Sequence, residues 1–212
     1  MLSIVNRRFD RGDTLIEVLF AITIFSLVAV GGLAIMNQGT ATSQRALEIT
    51  LVRQEIDAQA EVLRFLNASF VSAYQSGAVY ASNTPAGQWQ LMESSIISTG
   101  MVTASAFGAG SDCQMPPQGS FIINTRSATF IPPTDAKLGL PQTFAQVRYD
   151  TSDQVTMAEG IWIEAVRAPT VGGNNQSNAG YIDFNIRACW ESPGQAAPVT
   201  IGTIVRLYEP RG

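Results

Sequence analysis

Gly12-Asp13-Thr14-Leu15-Ile16-Glu17 opens directly onto Val18–Met36, a run of 19 residues without a single charge. About 20 apolar residues are what an α-helix needs to cross the hydrocarbon core of a bilayer. The run therefore reads as a membrane-crossing helix. Glu17 at its threshold is the unusual feature. A carboxylate taken into lipid costs roughly 2.5–3.5 kcal/mol on insertion scales, so an acid in this place is a functional residue in search of a partner. A plain anchor has no use for one.

Ahead of the run stand Arg7, Arg8 and Arg11 against one acid, Asp10. Basic residues hold the leading end of a span in the cytoplasm, so the chain beyond Met36 is expected outside. A secretory signal carries its small-residue cleavage site after the apolar region. In this chain the small residue, Gly12, comes first. A twin-arginine export signal fits poorly, because Asp10, Asp13 and Glu17 crowd the approach to the apolar region. No cysteine lies near the run to carry a lipid.

The order basic leader, glycine, Thr-Leu-Ile-Glu and uncharged run resembles the prepilin leader of type IV pilins and of the related pseudopilins of secretion and competence machines. The resemblance covers residues 7 to 36. It implies that a membrane peptidase cuts between Gly12 and Asp13 and methylates the new amino group of Asp13, where the family commonly has Phe or Met. Glu17 becomes the glutamate four residues after the cut, acting in assembly, and Arg7, Arg8 and Arg11 the basic part of the leader. Implied partners are other pilin subunits, the prepilin peptidase, the membrane and the pilus assembly machinery. No cofactor is implied.

After Met36 a short polar stretch, 37–44, leads into Leu47, Leu51, Val52, Ile56, Leu63, Leu66 and Phe70, which recur at the spacings of one helix face. Arg45 with Glu48, Arg53 with Asp57 and Glu61 with Arg64 are spaced for ion pairs on the solvated side. One helix is predicted from about Thr14 to Gln75, stopped by Gly77. Its first half is apolar all round and its second half amphipathic. Beyond residue 77, Pro- and Gly-rich punctuation separates strand candidates at Trp89–Ile97, Ser120–Asn124, Phe144–Tyr149, Ile161–Val166, Tyr181–Trp190 and Thr200–Tyr208. In Tyr181–Trp190 the apolar residues alternate with Asp183, Asn185, Arg187 and Cys189, predicting one buried and one polar face. The expected fold is α+β, a long N-terminal helix packed on an antiparallel β-sheet. The expected organisation is a leader over 1–12, a transmembrane and filament-core helix over 13–36, its amphipathic continuation over 37–77, and an extracytoplasmic β-rich domain over 78–212.

Composition narrows function further. The chain has 212 residues, 13 basic and 17 acidic; losing residues 1–12 would move its formal charge from −4 to −6. That argues against sequence-independent nucleic-acid binding, which needs clustered Lys and Arg. There is no histidine, which removes Ser-His-Asp and Cys-His catalysis and the commonest metal ligand. The two cysteines, Cys113 and Cys189, cannot form a structural zinc site alone. In an exported domain they are expected to pair. Asp150-Thr151-Ser152-Asp153 offers oxygen ligands but lacks the spacing of a calcium loop and reads as a β-turn; no metal site is expected. Asn174 to Asn178 reads as a solvated loop, and Glu159 and Glu164 as surface charges.

The reading is a non-enzymatic subunit, a minor pilin of a type IV filament. It is expected in the cytoplasmic membrane before assembly and in a cell-surface filament afterwards. Its rivals are a pseudopilin of a type II secretion or DNA-uptake machine, and a membrane-anchored binding module that never polymerises.

Overall fold

A computed structural model of the chain describes residues 13–77, 80–99, 113, 116, 118–167 and 180–210. The chain divides into two compact units, Met1–Gln44 and Arg45–Gly212. Helix α1 runs unbroken from Asp13 to Ser76, within a residue of the expectation at each end. Its stop is physical: Gly77 takes φ +67° and donates its N–H to the Tyr74 carbonyl, a left-handed cap that glycine adopts without strain. The polar stretch is helical too, and in it Thr40 and Thr42 turn their hydroxyls onto the carbonyls of Asn37 and Gln38, at 2.9 and 2.8 Å, which satisfies them within the helix.

The second unit packs α1 and a second helix against strands. In chain order come α2 (Pro85–Thr99), β1 (Ile122–Asn124), β2 (Thr129–Ile131), β3 (Leu138–Gly139), β4 (Gln146–Tyr149), β5 (Val155–Glu159), β6 (Ile161–Arg167), β7 (Tyr181–Trp190) and β8 (Val199–Tyr208). Strands β6-β7-β8 form an antiparallel sheet, β3-β5-β4 a mixed one in which β3 and β5 are parallel, and β1-β2 a hairpin. The fold is α+β with helix on sheet, but three small sheets replace the single one expected. Phe121 and Ile163 exchange backbone hydrogen bonds of 3.0 and 2.9 Å, which ties the hairpin to β6.

From α1 the core takes Val52, Ile56, Leu63, Leu66 and Phe70; β7 supplies Ile182, Phe184, Ile186, Ala188 and Trp190. Leu47 and Leu51, predicted on that inner face, are 62% and 38% exposed, because both turn away from it once the stripe is tracked at 100° per residue. A polar clamp fixes α1 against the hairpin. Gln59, fully buried, accepts from Ile123 N–H at 3.1 Å and donates to Ile123 C=O at 2.9 Å. Its amide thereby satisfies a strand residue as a neighbouring strand would.

The segment Trp89–Ile97, expected as a strand, lies in α2. Thr84 caps it by accepting from Gly87 N–H at 3.2 Å, Pro85 suits the first helical position, and Trp89, Met92 and Ile96 are buried at three- and four-residue spacing. A side chain at Gly87 would run into the Ala81 carbonyl, so only glycine lets the helix begin so close to the preceding turn. Strands β2, β3 and β5, two to five residues long, lie outside the segments expected as strands.

Candidate functional site

In the first unit, the large apolar side chains from Leu15 to Met36 are 49 to 76% exposed on every side of α1. Among the described residues this is the one helix long and apolar enough to cross a membrane. A helix apolar all round and bare of protein contacts needs lipid or other helices to cover it. Thr23 donates its hydroxyl to the Phe20 carbonyl at 2.8 Å, which satisfies that polar group within the apolar run. Glu17 sits in the first turns of this helix, exposed and without hydrogen-bond or ion-pair partner among the described residues. Position 13 lies one turn before it. Gly12, Arg7, Arg8 and Arg11 fall outside the described residues.

Residues 7–33, and so Gly12, Asp13 and Glu17, match the model of the prokaryotic N-terminal methylation motif. The chain carries the type IV pilin and pseudopilin signature. No curated protein and no solved structure matches it. The signature supports a type IV pilin-like or pseudopilin precursor, anchored in the membrane before assembly, and a structural subunit rather than an enzyme.

The second unit commits its polar groups differently from the expectation. Cys113 and Cys189 are joined, with α-carbons 5.4 Å apart. That bond brings Cys113 onto the β7 face predicted to be polar, where Asn185 and Cys189 are each only 3% exposed. Glu159 and Glu164, expected on the surface, are buried as well. Each has partners, as buried charge requires. Glu164 accepts from Trp162 Nε1 at 2.7 Å with Arg187 Nη1 3.9 Å away, and Glu159 accepts from Arg148 Nε at 3.0 Å. The alternation Trp162-x-Glu164 puts the donor and the acid on one face of β6, a signal in the sequence that pointed to this pair.

Of the three helix-surface pairs, Glu61–Arg64 forms, at 2.5 Å. Glu48 instead accepts from Trp190 Nε1 at 3.0 Å and from Ser192 Oγ at 2.7 Å, on the wall of an open hollow of about 510 Å³ with Glu191, Gln142 and Thr143. Arg53 and Asp57 stay apart, in the less favourable order for an i,i+4 pair. In the Asp150–Asp153 turn the carboxylates are also engaged. Asp150 accepts from the N–H groups of Ser152 and Gln154 at 2.8 and 2.9 Å, and Asp153 pairs with Arg126. Asn174 to Asn178 lie outside the described residues.

Glu55 is the strained acid of this unit. Its Oε1 is buried with no hydrogen-bond partner, and burial pushes its carboxyl above the ordinary value of 4.5, against the opposing pull of Gln59 and Arg126. A raised folded-state pKa means that the folded chain holds the proton more tightly than the unfolded one. Stability from this group is therefore greatest in acid and is lost as pH rises through the carboxylate range. Glu55→Gln should raise the urea midpoint at pH 8 and leave it nearly unchanged at pH 4. Equal midpoints for the two proteins at both values would show that Glu55 carries no such penalty.

Proposed function

We propose that the chain is a minor pilin: a precursor whose leader, residues 1–12, is removed between Gly12 and Asp13, and whose helix over 13–36 first crosses the membrane and then packs in a filament core. The continuation over 37–77 and the domain over 78–212 then form the outer, extracytoplasmic part. The observation that carries this reading is the first half of α1, bare and apolar on every side, directly behind Glu17 and inside the methylation motif. A lone anchor accounts for the apolar run but not for an acid at its threshold. Other pilin subunits account for both. In a bundle, the amino group of a neighbouring subunit's first residue neutralises Glu17, and neither charge is left unpaired in apolar surroundings. The large, loop-rich domain favours a minor over a major subunit.

Mass spectrometry of the protein from its native membrane tests the processing step. The expected chain begins at Asp13, with or without a methyl group. A chain that retains Met1, or one cut after residue 36, would remove the pilin reading. Immunogold labelling on extended surface fibres supports a pilus subunit, whereas label confined to the envelope makes the chain a pseudopilin.

A further inference from the structure

The antiparallel sheet of the second unit ends at β8, which has β7 on one side and no strand on the other among the described residues. Two hydrogen bonds fix the direction of its free backbone groups. Glu209 N–H donates to Gly180 C=O on the β7 side at 2.9 Å, whereas the Tyr208 carbonyl accepts from Asn67 Nδ2 of α1 at 3.3 Å. Backbone groups alternate sides along a strand, and the β7–β8 register runs without a shift. Thr200, Gly202, Ile204 and Arg206 thus turn their N–H and C=O groups outward, and all four residues are exposed. An edge this long and unprotected is a template for another strand. Ile204, 62% exposed, does nothing to discourage one.

Helix α1 runs beside that edge in the same sense. From Arg53, near Ile201, to Asn67, at Tyr208, it rises about 21 Å, and β8 covers about 23 Å between Ile201 and Tyr208. Asn67 closes the space at the far end. At the near end an open groove of about 350 Å³ remains, lined by Arg53, Ile56 and Asp57 of α1 and by Ile201, Gly202 and Thr203 of β8. Its floor is apolar, through Ile56 and Ile201. Its helical wall carries one charge of each sign, and neither Arg53 nor Asp57 has a hydrogen-bond or ion-pair partner among the described residues. The two are about 6 Å apart along the helix, close to the 6.6 Å or so that separates same-face residues of a strand.

We propose that this groove binds an extended peptide segment of another protein, which adds to β8 as a fourth strand. It would place an acidic and a basic side chain, two residues apart, against Arg53 and Asp57. Main-chain bonds to the β8 edge supply the affinity and the two charges supply selectivity, the division of labour found where peptides add to a sheet edge. The inference concerns the exported unit and stands independently of filament assembly.

Amide-resolved hydrogen exchange on the full chain in detergent micelles tests it. The probes are three synthetic heptapeptides of alternating Val, with Asp and Arg, two Asp, or two Arg at the central same-face positions. The Asp/Arg peptide at about 1 mM should slow exchange at Thr200, Gly202, Ile204 and Arg206, and should bind about tenfold more tightly than either singly signed peptide. Asp57→Arg, a change at an exposed and unpartnered side chain, should transfer that preference to the two-Asp peptide. The proposal is overturned if no peptide slows those amides, or if Asp57→Arg leaves the ranking unchanged. It is equally overturned if the amides become protected with rising protein concentration alone, which would make the edge a contact between copies of this chain.

Discussion

Glu17→Ala is expected to leave membrane insertion and leader cleavage intact while reducing the amount of cleaved subunit in sheared filaments by more than about tenfold. Insertion should not suffer, because removing the acid makes the helix more apolar. Assembly should, because a neighbouring subunit's amino group would enter the bundle without a counter-ion, and breaking a buried pair by removing one partner costs about 3–5 kcal/mol. Glu17→Gln separates charge from shape. It retains length and hydrogen-bonding capacity and should fail nearly as badly as alanine. The measurement is the ratio of cleaved subunit in filaments to that in membranes. Wild-type ratios for both variants would make Glu17 a side chain that merely reaches for the headgroups, and the pairing mechanism would have to be given up.

The second large effect is expected from the disulfide. The bond joins residues 76 positions apart, and closing a loop of that size removes enough entropy from the unfolded chain to contribute about 4 kcal/mol on the loop-entropy account. A whole domain is worth only about 5–15 kcal/mol. Reducing the bond, or replacing Cys113 and Cys189 together by serine, should therefore lower the urea midpoint of the second unit by a large fraction. Thiol labelling of the native, unreduced protein should find neither cysteine. A midpoint indifferent to reductant would mean that the bond adds no net stability, and the loop-entropy account would not hold for this chain.

What could be read ahead of the structure divides along physical lines. Helix α1 was legible almost to the residue, because its signals are long: an uncharged run, then a 3.6-residue stripe from Val52 to Phe70, then a glycine stop. Strands β6, β7 and β8 were legible for a similar reason, each being seven to ten residues long. Helix α2 was misread because Trp89-Gln90-Leu91-Met92 is rich in bulky apolar residues, and the decisive features, the Thr84 cap and Pro85, lie just outside that apolar segment. Glu159 and Glu164 were misread because a charge's burial depends on what stands across the sheet. Register sets the Trp162–Glu164–Arg187 cluster, and register is a tertiary property. Glu17 stands out in the sequence because membrane insertion penalises charge residue by residue, whereas the β8 groove has no sequence signal, since it exists only once α1 and the strand lie side by side.

Gly31 and Gly32 lie inside α1 with open space where their side chains would be. Each makes the helix about 0.5–1 kcal/mol cheaper to unwind than alanine would. In the filament proposed above, that pair would be a point of mechanical compliance. A residue drawn from helix into extended chain lengthens the strand by about 1.8 Å, so a few residues yielding around the glycines in every subunit would let a taut fibre stretch before any contact between subunits has to break.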